Sequence, residues 1–176
     1  TRVGPTGLIE KGRENLLLQS NQFDTTWTTA SASVTSGQSG YDGSSDAWLL
    51  SKSGANGRIQ QSSISTSGVS TFSVYAKANN SNYIVIQFQS TFAYFDLTTG
   101  LSQNETSGII SATSTDEGNG WYRCSIVFNI SGSSTAYIYP AENGSVSGTS
   151  GSIYIQDAQL EIGLAATEVI ESGAST

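Results

Sequence analysis

Trp121-Tyr122-Arg123-Cys124-Ser125-Ile126-Val127-Phe128-Asn129-Ile130 carries the clearest alternation in the chain. Tyr122, Cys124, Ile126, Phe128 and Ile130 fall on one side of an extended chain, with Trp121, Arg123, Ser125 and Asn129 on the other. Side chains of a strand alternate between two faces, so this period of two predicts a strand with one buried face. Asn119-Gly120 before it and Ser131-Gly132 after it supply turn chemistry. Two upstream stretches repeat the pattern. In Phe72-Ser73-Val74-Tyr75-Ala76-Lys77, the Phe, Val and Ala face one way; in residues 83–89, Ile84, Ile86 and Phe88 do.

Working outward, strand signals recur over residues 15–20, 47–51, 58–65, 71–78, 83–90, 93–96, 121–130, 136–140 and 152–160. Asp42-Gly43, Asn79-Asn80, Thr99-Gly100 and Asn143-Gly144 separate them. No segment carries three turns of helical periodicity, and residues 163–170 fit either one helical turn or a final extended piece. With 19 Gly, 2 Pro and 36% hydrophobic residues in 176, the chain predicts one all-β domain, a two-sheet antiparallel β-sandwich.

Composition excludes several functions. The net charge is −7 and the 7 basic residues are scattered, which disfavours nucleic acid as a partner. No apolar run approaches the roughly 18 residues of a membrane span, so membrane insertion is not expected. The single cysteine, Cys124, lies on the inward side of its strand and reads as a small core residue. The absence of histidine removes Ser-His-Asp and Cys-His catalysis and His-ligated zinc. Asp96, Asp116, Glu117 and Glu142 read as strand-end or turn residues, with no sign that two converge as a glycosidase requires. No enzyme is expected.

Residues 1–14, TRVGPTGLIEKGRE, show little alternation and read as an extended arm or linker preceding a domain over residues 15–176. Such an arm can pair with a neighbouring subunit's sheet edge. The chain begins without Met and without a basic-then-apolar leader, which predicts a processed product, an excised domain or a segment of a longer protein.

Three motifs carry a family resemblance: Glu14-Asn15-Leu16-Leu17 through Phe23-Asp24 with Trp27; Gly118-Asn119-Gly120-Trp121-Tyr122-Arg123-Cys124; and Ser152-Ile153-Tyr154-Ile155-Gln156-Asp157-Ala158-Gln159-Leu160-Glu161. Together they resemble jelly-roll carbohydrate-binding modules of the xylan/cellulose-binding type. The Trp-Tyr-Arg and Gln-Leu-Glu pieces look most like the variant in structural proteins of tailed bacteriophages. Thr1-Arg2-Val3 and Gly7-Leu8-Ile9-Glu10 resemble a segment preceding such modules in phage tail and head proteins. The resemblance implies a jelly roll, a polysaccharide or cell-surface glycan as partner, and an extracellular or virion-surface location. It also implies a structural calcium shared by Asp24 and Asp157; the alternative is an Asp157 hydrogen-bonded to loop amides.

Sugar recognition combines flat rings that stack on pyranose C–H faces with planar groups that meet paired hydroxyls. The outward set Tyr75, Lys77, Gln87, Gln89 and Arg123 supplies both, provided its strands are neighbours in one sheet. The resemblance places a polysaccharide on such a concave sheet. Loop aromatics Tyr41, Trp48, Phe92 and Tyr94 offer a second candidate site, while Trp27 and Trp121 read as structural anchors. Tyr137 and Tyr139 alternate with Ala136 and Ile138, and the pattern leaves open which pair faces the core. Two functions follow. One is a non-catalytic glycan-recognition module displayed on a phage particle or other extracellular assembly. The other is a structural virion or filament subunit, joined to virion subunits or to copies of itself through the arm, with no glycan ligand.

Overall fold

The structure is a computed structural model that describes residues 2–3, 9–10 and 12–174. Short strands β1 (Arg2–Val3) and β2 (Ile9–Glu10) pair antiparallel with each other. The arm expected over residues 1–14 otherwise falls largely outside the described residues. From there the chain runs through β3 (Thr28–Ala30), β4 (Ala32–Gln38), β5 (Ala47–Lys52), β6 (Arg58–Thr66), β7 (Val69–Ala78) and β8 (Tyr83–Phe88). It continues through β9 (Thr91–Asp96), β10 (Ser102–Gln103), β11 (Ile109–Gly118), β12 (Trp121–Asn129), β13 (Gly132–Ala141) and β14 (Ser152–Ile162). No helix occurs among the described residues.

Two six-stranded antiparallel sheets result. Sheet I has the order β10-β9-β8-β13-β6-β3, and sheet II the order β11-β12-β7-β14-β5-β4. This is the expected all-β, two-sheet jelly-roll sandwich. Phe72, Val74 and Ala76 of β7 and Cys124, Ile126 and Phe128 of β12 face Ile84, Ile86 and Phe88 of β8, all of them buried. Phe88 and Phe128 join the sheets directly, their rings 4.9 Å apart. Alternation in these strands is therefore burial of one face against the opposite sheet.

In β14 the inward residues are Ile153 and Ile155, then Ala158 and Leu160. The phase slips by one at a β-bulge between Gln156 and Gln159, where Asp157 adopts φ 49°. Residues 15–20 do not form the expected strand. They run irregularly: Leu16 N donates to Leu160 O at 2.7 Å and Ser20 O accepts from Ala158 N at 2.9 Å, and side chains bond the backbone between these two points. Asn15, 2% exposed, donates to Ala158 O (2.9 Å) and Ile170 O (3.0 Å) and accepts from the Leu17 and Leu160 amides. Gln61 grips Leu18 from both sides, accepting from its N–H at 2.7 Å and donating to its carbonyl at 2.8 Å. Leu17, Phe23 and Trp27 then plug the core, with Phe23 edge-on to Trp27 and to Trp48. The opening motif is thus a structural clasp.

Candidate functional site

The five residues expected on one outward face do not share it. Strands β7 and β12 are neighbours in sheet II, while β8 belongs to sheet I, so Tyr75, Lys77 and Arg123 are separated from Gln87 by the sandwich itself. Gln89 lies in the β8–β9 hairpin at φ 57°, and its carbonyl accepts from the Gln87 amide at 2.6 Å. Alternation assigned each side chain a side of its own strand, but not the sheet to which that strand belongs.

The outer face of sheet II is covered. Tyr75 is 6% exposed and lies flat against Tyr41, the rings 3.7 Å apart and 4° from parallel. The Arg123 guanidinium sits 5.1 Å from the Tyr75 ring centre, and Trp121 is buried in the same cluster, with Tyr154 and Val169 packed against it. The tail after β14 lies on this face, latched by buried Gln159 and Glu161. Gln159 accepts from the Ile170 amide at 2.8 Å. Glu161 accepts from Thr167 N at 3.0 Å and from Arg13 Nη1 at 2.9 Å, besides a short contact from Gln159 Nε2. Residues 163–170 run irregularly, with bends at 163–165 and 168 and no helical turn. Tyr75 is occupied by its own chain. Trp121 and Trp27 anchor as expected, and Trp48 packs in the core with its indole N–H on Asn21 O at 3.1 Å.

The outer face of sheet I is aromatic, with Tyr137, Gln87 and Phe92 part-exposed and Tyr139, Val85 and Tyr94 buried beside them. Cross-strand register aligns Thr28, Gln60, Tyr137, Gln87 and Phe92 in one row. A second row holds Tyr139, Val85, Tyr94 and Gln103. The pair facing away from the core in β13 is therefore Tyr137 and Tyr139, since Ala136 and Ile138 are in it. Phe92 and Tyr94, expected in loops, are strand residues of β9 and belong to the same face. Together with Asn56, Arg58 and Val146 these side chains line a cleft of about 300 Å³.

The cleft is held in place from behind. Val146 O accepts from Lys52 Nζ at 2.7 Å and from Asn56 N at 3.0 Å, fixing the β13–β14 loop as a wall. Gln103 Nε2 donates to Asn143 Oδ1 of the same loop at 2.9 Å. Arg58 is oriented by its Nε–H on Gln60 Oε1 (2.9 Å) and an Nη1–H on Asn56 O (3.2 Å). Its guanidinium carbon lies 5.6 Å from the Tyr137 ring centre and 5.8 Å from that of Tyr139, within cation–π range. Burial raises the Tyr139 and Tyr94 phenols above their ordinary value, with the Arg58 charge opposing the rise at Tyr139. Both hydroxyls are protonated donors at neutral pH. Rings backed by fixed amide and guanidinium donors suit a ligand with one apolar face and a rim of hydroxyls.

Asp24 and Asp157, the expected calcium ligands, have different surroundings. Asp24 is exposed in a turn, whereas Asp157 is buried at its bulge, its Oδ2 accepting from the Tyr41 hydroxyl at 3.0 Å. Calcium takes six to eight oxygens. Among the described residues, no group of three or more Asp, Glu, His or Cys is placed to hold a metal. The partner of Asp157 is a tyrosine hydroxyl, and its own amide donates to Asn21 Oδ1 at 3.2 Å. Burial pushes its carboxyl up to about 6. The Tyr41 hydrogen bond works against that rise, and the charges of Glu171, Asp42 and Asp46 add to it.

No protein-family model and no curated protein matches the sequence. Solved structures align with it. A family 6 carbohydrate-binding module from Clostridium cellulolyticum, in complex with xylose, aligns over 87% of this chain and 97% of its own at 14% identity and a TM-score of 0.42. The module TmCBM61, in complex with β-1,4-galactotriose, aligns over 84% and 97% at 16% identity and a TM-score of 0.44. The CBM22-1 xylan-binding domain from Paenibacillus barcinonensis Xyn10C aligns over 90% of this chain and 100% of its own, at 16% identity and a TM-score of 0.51. The chain has the fold of that xylan-binding domain.

Proposed function

We propose that this domain is a non-catalytic carbohydrate-binding module that receives a glycan chain in the cleft of sheet I. The observation that supports this most directly is the cleft itself: Tyr137, Tyr139, Tyr94 and Phe92 in two adjoining rows, with Arg58, Gln87 and Asn56. The rings stack on C–H faces and the amides and guanidinium take hydroxyls. The shared fold with a xylan-binding domain makes xylan the first ligand to try. The test is a glycan-array screen of the wild-type protein and of Tyr137→Ala. Binding to a glycan class that the substitution weakens supports the reading. Binding that the substitution leaves untouched moves the site elsewhere, and a blank array from folded protein removes it.

The Trp121-Tyr122-Arg123 and Gln159-Leu160-Glu161 motifs extend the proposal to the setting: a tailed-phage virion surface or another extracellular assembly. Several copies joined through the N-terminal segment would multiply weak single-site binding. Removing residues 1–11 then lowers avidity for a polymeric glycan while leaving the affinity for a short oligosaccharide unchanged.

A further inference from the structure

The cleft holds a cation without a counter-ion. Arg58 uses its Nε–H and one Nη1–H on Gln60 and Asn56, which leaves three N–H donors, including both on Nη2. Among the described residues it has no carboxylate partner, whereas Arg13 on the other side of the sandwich is paired with Glu161 at 2.9 Å. No Asp or Glu lines the cleft. The neighbouring acids are engaged. Asp96 takes the Thr98 amide (2.8 Å), the Thr98 hydroxyl (2.6 Å) and the Tyr83 hydroxyl (3.3 Å), and Glu142 interacts electrostatically with Lys52. Behind the wall, the Lys52 ammonium on Val146 O is balanced by Glu142, so Arg58 carries the positive charge of the cleft.

A guanidinium fixed in plane by two bonds, with an unused edge beside aromatic rings, is matched to a carboxylate, which it can meet through two parallel hydrogen bonds. The chain's net charge of −7 opposes a polyanion at long range. That repulsion is screened beyond about 8 Å at physiological salt, so the local charge decides. We propose that the cleft prefers an acidic sugar, a uronate whose ring lies against Tyr137 and Tyr139 and whose carboxylate is received by Arg58. This rests on the sugar-binding reading of the cleft and adds the class of sugar to it.

The experiment is calorimetric titration at low and high salt with four probes: an oligogalacturonate, its methyl ester, a xylo-oligosaccharide carrying glucuronate, and a neutral xylo-oligosaccharide. At least one uronate is expected to bind about tenfold or more tighter than its uncharged counterpart, the range of a charged hydrogen bond. The advantage shrinks as salt rises. In Arg58→Gln it disappears, with uronate affinity falling further than neutral affinity, and Arg58→Lys, which keeps the charge but not the planar fork, retains part of it. Equal binding of charged and uncharged probes by the wild-type protein overturns the preference and leaves the sugar-binding reading standing. Binding of none of the four by folded protein overturns both.

Discussion

The two sheets bury one face each in a common core, and their outer faces take opposite courses. Both outer faces carry tyrosines with an arginine over a ring: Tyr75 with Arg123 on sheet II, Tyr137 and Tyr139 with Arg58 on sheet I. On sheet II the chain returns to cover them, with Tyr41 stacked on Tyr75 and the tail latched by Gln159 and Glu161. On sheet I the β13–β14 loop stops at the border, fixed through Val146, and the rings become the wall of a cleft. An outward row of aromatic and basic residues is thus a packing platform or a binding surface according to whether another segment of the chain lies on it.

The comparison breaks most visibly at Tyr75. Replacing it by alanine removes a buried ring packed against Tyr41 and is expected to cost about 3–5 kcal/mol in urea unfolding. Glycan affinity of the molecules that remain folded stays unchanged; a Tyr75→Ala variant of full stability and lost binding would reverse the roles of the two faces.

Asp157 sharpens the same contrast through pH, because its carboxyl sits under the covered face. Its folded value of about 6 lies above the ordinary 3.8. The stability it contributes is therefore fully present below about pH 4 and lost as pH rises through 6, on the order of 2 kcal/mol. Asp157→Asn is expected to be the more stable protein at pH 8, with the difference closing by pH 4 in parallel thermal melts. A difference that grows on acidification would mean that the buried carboxylate is held charged.

On the open face, Tyr137→Ala is expected to weaken glycan binding by about tenfold, roughly 1.4 kcal/mol, since a stacking ring is lost. Its cost in stability is about 1 kcal/mol or less, because the ring is only half-buried. Titration calorimetry beside urea unfolding separates the two quantities. The smallest effect is expected from chelation: with Asp24 exposed in a turn and Asp157 accepting from the Tyr41 hydroxyl, melting temperatures with calcium and with chelator should coincide. A chelator-induced drop of several degrees would place a cation in the structure after all.

Parts of this were legible beforehand because they are local. The alternation in β7, β8 and β12 marked the core residues, and the Ile153, Ile155, Ala158, Leu160 spacing in β14 already contains the one-residue slip of the bulge. Edge strands β4 and β11 escaped notice. Their residues, Ala32–Gln38 and Ile109–Gly118, are mostly Ser, Thr and other polar groups and are largely solvated, so they carry little hydrophobic period. The clasp of residues 15–20 read as a strand because its apolar residues enter the core, although β14 bonds its backbone at Leu16 and Ser20 and the Asn15 and Gln61 side chains bond it between. Tyr137 and Tyr139 could not be oriented from β13 alone, since both of its faces are apolar; their orientation comes from pairing with Gln60 and Val85 in flanking strands.

By itself the sequence determined that this protein is an all-β sandwich, and which side of β7, β8 and β12 faces the core, because a period of two is written residue by residue along a strand. Only the tertiary structure decided that β7 and β8 belong to opposite sheets, that Tyr75 is roofed by Tyr41, and that Arg58 meets Tyr137 and Tyr139 at an open cleft. These follow from pairings between distant segments, and no local pattern of side chains specifies which strand lies beside which or what comes to rest on an outer face.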